Sequence, residues 1–295
     1  MKPNKYSISD LERFTSIKAH TIRMWENRFK IFTPERSVGN VRSYKDEDLR
    51  KLLNISLLLK KKFKISKIAT LTNEELNEKV IGLSSIKNNN EYQIDSLLES
   101  MMEFDEQKFD KIIASSSINI GFENTIIDII YPFFEKIGIL WLAGRINPAY
   151  EHYMTNLLRQ KLIVAIDGQM PNQKPDAKKF LLFLPENEWH ELGLLFYSYI
   201  LKKNGHSIVY LGQSVPLNEL QEITPIINPD AVVTSFTTVF SDREFDSYIQ
   251  RLSLLYPSTK VFITGLQVIS FNPSLPPNFI KISSLSRFKE KIASI

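Results

Sequence analysis

Hydrophobic and polar positions change period along this chain, and each change marks a domain. In the first thirty residues Leu11 and Phe14, then Ile22, Trp25 and Phe29, recur at spacings of three and four. That spacing predicts two short helices joined by a tight turn, with Ser9 as the N-cap of the first, the pattern of a helix-turn-helix. Pro34 is expected to end the second helix. Gly39-Asn40 then makes a hairpin turn and residues 41–44 return as a short strand, so the segment forms a wing. A third helix is expected from near Asp46, with acids in its first turn where the helix dipole favours them. From residue 94 to about 165 the period stays helical through long runs such as "IDSLLESMMEFDEQKFDKIIASSS" and "GFENTIIDIIYPFFEKIGILWLAG". Strand signals are weak there, and a bundle of about four helices follows.

After residue 178 the pattern changes again. "KFLLFLP", "HSIVYLG", "DAVVTSF" and "KVFITG" are short apolar runs of the buried-strand kind, separated by helical intervals that close on Gly205 or on prolines. Alternation of this kind predicts an α/β doubly wound parallel sheet, with "FIKIS" as a possible fifth strand. Two polar stretches, "SSIKNNNEYQ" and "MPNQKPDAKK", have linker composition. The chain is therefore read as three domains: a winged helix-turn-helix head over 1–83, a helical bundle over 92–172 and a Rossmann-like sheet domain over 178–295. Ligands on such sheets bind beyond the carboxyl ends of the strands. His190, in "PENEWHELG", stands just past one such end.

Composition narrows the function. The chain has no run of ~18 apolar residues and begins with the polar "MKPNKYSISD", so neither a membrane span nor a signal peptide is expected. With zero cysteines it can form no disulfide, thiolate metal site or Cys nucleophile, which fits a cytoplasmic location. The net charge of +4 is unevenly spread: residues 1–70 hold 17 Lys/Arg against 7 Asp/Glu, leaving 20 against 26 for the rest. The basic character belongs to the head. A helix-turn-helix with that charge points to nucleic acid, while the run Lys60-Lys61-Lys62 with Lys64 is open to two readings, a DNA contact or a solvated helix face.

The series Thr21-Ile22-Arg23, Trp25-Glu26, Arg36, Gly39, Arg42 and Tyr44 resembles the DNA-binding head of the MerR family of bacterial transcription regulators, over about residues 5–75. The resemblance implies that Lys18 and Arg23 meet DNA from the recognition helix. Arg36, Arg42 and Tyr44 would reach phosphate or the groove edge from the wing. Phosphate contacts set position and salt dependence while a few side chains read bases. Ile22 and Trp25 are read as core, and His20 is given no ligand role.

A second resemblance covers the sheet domain. Glu188-Trp189-His190-Glu191-Leu192-Gly193 reads as ExHxxG; 41 residues intervene before Ser235, and 26 lie between Thr237 and Thr264-Gly265. This is similar to the cobalamin-binding domain of methionine synthase and the cobalamin mutases, whose signature is DxHxxG, then SxL, then GG at matching gaps. The resemblance implies that His190 coordinates cobalt through one ring nitrogen and that Glu188 orients the other. Gly193 would let the nucleotide tail pass, Ser235 would hydrogen-bond the benzimidazole, and Gly265 would give backbone clearance. The departures are Glu188 for Asp, Thr237 for Leu and Thr264 for the first Gly. A Cβ at Thr264 is expected to crowd the tail.

In the bundle, Trp141 is followed by nine residues and then Glu151-His152. This resembles the Wx9EH signature of cobalamin-dependent, light-responsive MerR regulators of the CarH and LitR type. Asn147-Pro148 is expected to cap the helix that carries the Glu-His pair. By resemblance Trp141, Glu151 and His152 face the upper ligand, an adenosyl group. The photoreceptor branch has a histidine directly after the Trp, where this chain has Leu142. The combined expectation is a non-enzymatic transcription regulator, a repressor, which binds adenosylcobalamin and a double-stranded operator as a homo-oligomer, dimer or tetramer. Two other readings stay open. One is a MerR-type regulator whose altered pocket, at Thr237, Thr264 and Leu142, senses another signal or none. The other is a cobalamin enzyme subunit, against which the basic head and a length too short for an added ~250-residue substrate barrel both argue.

Overall fold

The computed structural model describes residues 6–15, 17–36, 42–82, 90–142, 144, 146–169, 175–237, 240, 242–271 and 273–294. The chain divides into two compact units, Met1–Leu157 and Leu158–Ile295. The first opens with α1 (Ile8–Thr15) and α2 (Ala19–Phe29), followed by β1 (Glu35–Arg36), β2 (Arg42–Ser43), α3 (Asp46–Lys60), α4 (Ile65–Ile68) and α5 (Asn73–Gly82). Ser7, not Ser9, caps α1. Its hydroxyl accepts from the Asp10 N–H at 3.2 Å, and the Asp10 carboxylate accepts from the Ser7 N–H at 2.8 Å. Ser9 lies inside the helix, because the reciprocal Ser-x-x-Asp pairing fixes the start two residues earlier. Helix α2 stops before Pro34: Lys30 takes a left-handed φ of 54° and donates its N–H to the Glu26 carbonyl. Strands β1 and β2 pair antiparallel, with Glu35 opposite Ser43 and Arg36 opposite Arg42. The expected Gly39-Asn40 turn lies outside the described residues. Leu11, Ile22, Trp25, Phe32, Tyr44, Leu52 and Leu58 form the head's core.

The bundle continues with α6 (Glu91–Glu103), α7 (Glu106–Ile120) and α8 (Phe122–Thr125). A π-helical turn, Ile126–Ile130, leads into α9 (Tyr131–Leu142), and α10 (Pro148–Asp167) follows. Asp105 caps α7 by accepting from the Lys108 N–H at 2.9 Å. Asn147 accepts from the Ala149 N–H at 2.9 Å and Pro148 opens α10, as the Asn-Pro pair predicts. Helix α9 packs on the head as well as in the bundle. Ile139 joins the head's hydrophobic cluster, and the buried Asn54 of α3 donates to Asn77 of α5 at 3.0 Å and to the Leu142 carbonyl at 3.1 Å.

The second unit contains β3 (Lys179–Pro185), α11 (Leu192–Lys203), β4 (Ser207–Val215), α12 (Leu217–Ile227), β5 (Ala231–Ser235), α13 (Asp242–Leu255), β6 (Lys260–Thr264), α14 (Leu266–Phe271), β7 (Phe279–Lys281) and α15 (Leu285–Ile292). The "FIKIS" run supplies β7. The sheet is parallel, in the order β4-β3-β5-β6-β7. Helices cover both faces, which is why the strands read as continuous apolar runs. Leu181, Phe183, Val232, Val261 and Ile263 meet Leu220 of α12 and Ile249 and Leu252 of α13. On the opposite face Phe262 packs edge-on against Phe288 of α15. Chain order reverses at β3, with β4 on one side and β5 on the other, so a crevice is expected beyond its carboxyl end. Among the described residues no helix is long and apolar enough to cross a membrane.

Candidate functional site

The loop after β3 stands at that reversal. Its Glu188 is fully buried, and its carboxylate accepts from the Thr237 N–H at 2.7 Å and the His190 N–H at 3.1 Å. The same carboxylate lies 2.6 Å from His190 Nδ1. A carboxylate there favours the tautomer with the proton on Nδ1, which puts the imidazole lone pair on Nε2. The His190 side chain is 63 % exposed, so the oriented ring faces outward. The rest of the loop is tied to the end of β4. Gln213 Nε2 donates to the Trp189 carbonyl at 2.7 Å, the Ser214 N–H donates to the Glu188 carbonyl at 3.2 Å, and the Asn187 N–H donates to Ser214 Oγ at 3.0 Å. The sequence pairs Glu188 with His190 through ExH. It gives no sign of Thr237, Gln213 and Ser214 as partners, because bonds to and from distant backbone groups leave no motif.

Strands β5 and β6 bring Ser235 and Thr264 side by side as register partners, both buried and on one face. Thr264 Oγ1 donates to the Ile282 carbonyl at 3.0 Å, and the Thr264 side chain is also hydrogen-bonded to Tyr197 of α11. Burial pushes the Tyr197 hydroxyl above its ordinary value. Around Gly193, in the first turn of α11, the position a Cβ would take is open for 4 Å, so the start of this helix leaves room for a group to pass. Gly265 is constrained by the protein itself: its φ is +102°, and a Cβ would stand 2.3 Å from the Phe236 carbonyl oxygen. His206 is structural, accepting from the Lys178 N–H at 3.3 Å and packing edge-on against Phe180. Among the described residues no group of three or more His, Asp or Glu side chains is arranged to hold a metal ion.

In the first unit Trp141 is the penultimate residue of α9 and is half-buried, while Glu151 and His152 are exposed in the opening turns of α10. In the head Arg23 is exposed on α2, and Lys18, at its N-cap, is exposed and paired with Glu12 at 2.9 Å. Arg36 lies in β1 opposite Arg42. One wing residue differs from the expectation, and a second is held from within. Tyr44 is fully buried and donates its hydroxyl to Glu26, so it is a core residue and does not reach a groove. Arg42 is partly buried, with Nε donating to the same Glu26 at 3.1 Å. Glu26, on α2, thus holds the wing against that helix. The physical reason is that a carboxylate buried at the helix–wing junction requires donors. Its place directly after the core residue Trp25 was the only sign of this in the sequence.

Residues 6–75 match the family described as MerR HTH family regulatory protein, and residues 93–165 match the family described as B12 binding domain. The second match falls on the helical bundle. The chain is 25 % identical over 267 residues to the HTH-type transcriptional repressor CarH of Myxococcus xanthus, covering 87 % of each chain. It is 26 % identical over 251 residues to the HTH-type transcriptional repressor CarA of the same organism, covering 82 % of this chain and 80 % of that one. Its fold resembles the monomethylamine corrinoid protein of Methanosarcina barkeri, with a TM-score of 0.54 and 17 % identity over 69 % of this chain and 98 % of the other. At that identity the likeness concerns the fold alone.

Proposed function

From the premise that this chain joins a MerR HTH domain to a B12-binding domain and is homologous to the CarH and CarA transcriptional repressors, we propose that it is a one-component repressor. Its oligomeric state and operator binding depend on adenosylcobalamin and on light. The observation that carries this reading is the buried Glu188 carboxylate 2.6 Å from Nδ1 of an outward-facing His190, at the reversal of a parallel sheet. His190 would hold cobalt through Nε2 with Glu188 fixing the ring. The open space at Gly193 suits the passage of the nucleotide tail, with Ser235, Thr237, Thr264 and Gly265 at the neighbouring strand ends. Trp141, Glu151 and His152 would face the upper ligand. Adenosylcobalamin supplies a cobalt–carbon bond that light can break.

The protein's part is linkage. A cofactor state that favours an assembly presents several heads to one operator at once, and multivalent engagement raises affinity without any new contact. A change in the bound cofactor that disfavours the assembly would release DNA. Leu142, in place of the photoreceptor branch's histidine, offers no nitrogen that could hold cobalt.

The test is an absorption spectrum of purified protein mixed with adenosylcobalamin in the dark and desalted, then repeated after green light, for wild type and His190→Ala. Retained corrinoid whose spectrum depends on His190, with operator binding that differs between dark and light, is the expected result. One observation favours a second reading: Thr264, where the cobalamin family has glycine, commits its side chain to Ile282 and Tyr197. If no corrinoid survives desalting, the regulator senses another signal.

A further inference from the structure

Glu191 directly follows the proposed cobalt ligand and occupies the N-cap position of α11, yet it makes no side-chain cap to the helix. Its carboxylate is turned away, only 7 % exposed. There it accepts from Nε of Arg159, in the C-terminal part of α10, and from the Tyr210 hydroxyl of β4 at 3.1 Å. A buried carboxylate persists only where partners compensate its lost hydration. The buried end of this pair is Glu191, while the Arg159 side chain is about half exposed. Burial, with the Glu191 charge beside it, pushes the Tyr210 hydroxyl above its ordinary range and keeps it a donor.

The loop between β3 and α11 is therefore fixed by two carboxylates with different partners. Glu188 bonds Thr237 and His190, and Glu191 bonds Arg159 and Tyr210. Only residues 189 and 190 lie between them, so the direction of the His190 Cα–Cβ bond depends on both anchors. Glu188 sets the rotation of the ring; Glu191 sets where the backbone holds it. We propose that Glu191, held by Arg159 and Tyr210, is a second positioning residue for His190. It ties the ligand loop to the C-terminal part of α10 and to β4. This rests on the reading that His190 binds cobalt.

The test uses the full chain loaded with cobinamide, a corrinoid that lacks the nucleotide base, so that any axial nitrogen belongs to the protein. After reduction to Co(II), electron paramagnetic resonance reads the three-line splitting that one spin-one nitrogen imposes. Wild type is expected to show it and His190→Ala to lose it. In Glu191→Gln and Arg159→Met the ratio of His-ligated to unligated cobalt should fall roughly tenfold, the size of one lost charge-assisted hydrogen bond. Arg159→Lys should restore most of it. Thermal unfolding of the unloaded variants separates positioning from misfolding, and the half-exposed Arg159 decides if Glu191→Gln fails to fold. Full nitrogen ligation in Arg159→Met overturns the proposal. Absence of splitting in wild type, or its persistence in His190→Ala, instead overturns His190 as the ligand.

Discussion

Replacing Glu188 by glutamine keeps the shape of the side chain and removes its charge, which isolates what the carboxylate does. The two oxygens face the Thr237 N–H at 2.7 Å, the His190 N–H at 3.1 Å and His190 Nδ1 at 2.6 Å, in a fully buried position. Glutamine offers one carbonyl oxygen and one NH2. In either orientation the NH2 meets a donor, so one polar group is left without an acceptor where water does not reach. A buried unsatisfied donor costs about 1–3 kcal/mol, and each hydrogen bond to a charged group is worth about 1.5–3 kcal/mol. Allowing for relaxation of the loop, roughly 3 kcal/mol of the second unit's stability should be lost. For a domain of this size that lowers its melting temperature by on the order of 10 °C. The ring of His190 also loses its fixed tautomer, and corrinoid affinity should fall by about 10–100-fold, as when a metal-bound histidine loses its carboxylate. Calorimetry of the unloaded full chain and equilibrium titration with cobalamin measure the two effects. A melting shift below about 2 °C together with unchanged affinity would refute the argument, because the carboxylate would then be neither a structural acceptor nor an orienting group.

Three further outcomes follow from the head and the aromatic groups. Asn54→Leu removes both donors from Asn77 and the Leu142 carbonyl and should cost about 1–3 kcal/mol; equal urea midpoints for variant and wild type would contradict the shared packing of head and α9. Arg23→Ala should weaken operator binding more than random DNA. Arg42→Ala should weaken both, reduce the salt slope by about 1, and destabilise the head through Glu26; identical slopes in competition binding at several salt concentrations would remove Arg42 from the interface. Burial raises the Tyr44, Tyr210 and Tyr248 hydroxyls, with the Glu26 and Glu191 carboxylates adding to the first two. Unfolded tyrosines ionise near ~10, before the folded ones, so their contribution is complete below that pH and is lost as pH rises above it. After exposed tyrosines such as Tyr92 have titrated, the remaining phenolate absorbance should appear together with unfolding, and full ionisation of a still-folded chain would be the contrary result.

What could be read in the sequence was what repeats or recurs at a fixed spacing. The four apolar runs and "FIKIS" became the five parallel strands because burial on both faces leaves a continuous hydrophobic signature. Asn147-Pro148 opened α10 because a cap is a local device. ExHxxG placed Glu188 beside His190 because two residues of separation keep them within reach. The misreadings came from competition that the pattern does not carry. Ser9 lost to Ser7 because Asp10 completes a reciprocal cap with Ser7. Tyr44 turned inward because Glu26, eighteen residues away, is buried beside it. Arg159 and Tyr210 around Glu191 could not be foreseen at all, since they come from 32 and 19 residues away on other elements.

The head also has a feature that follows from where its polar side chains are spent. Asn54 and Ser56 lie two residues apart on α3. Asn54 donates to the Leu142 carbonyl, one residue past Trp141, while Ser56 donates to the Thr15 carbonyl at 3.1 Å, at the end of α1 and just before the turn into α2. Both are buried, so water does not readily replace either bond, and both bonds end on backbone rather than on movable side chains. Helix α3 is thus fastened at one point to the helix that carries Trp141 and at another to the turn that positions Arg23. Packed interiors shift between discrete arrangements rather than deform smoothly. A displacement of α9 therefore either leaves α3 in place and breaks the Asn54 bond, or carries α3 with it and re-aims the recognition helix. Where operator affinity of the wild type differs with and without cobalamin, Asn54→Leu separates these cases: a lost difference means that α3 moves with α9, and a preserved one means that the head answers to assembly alone.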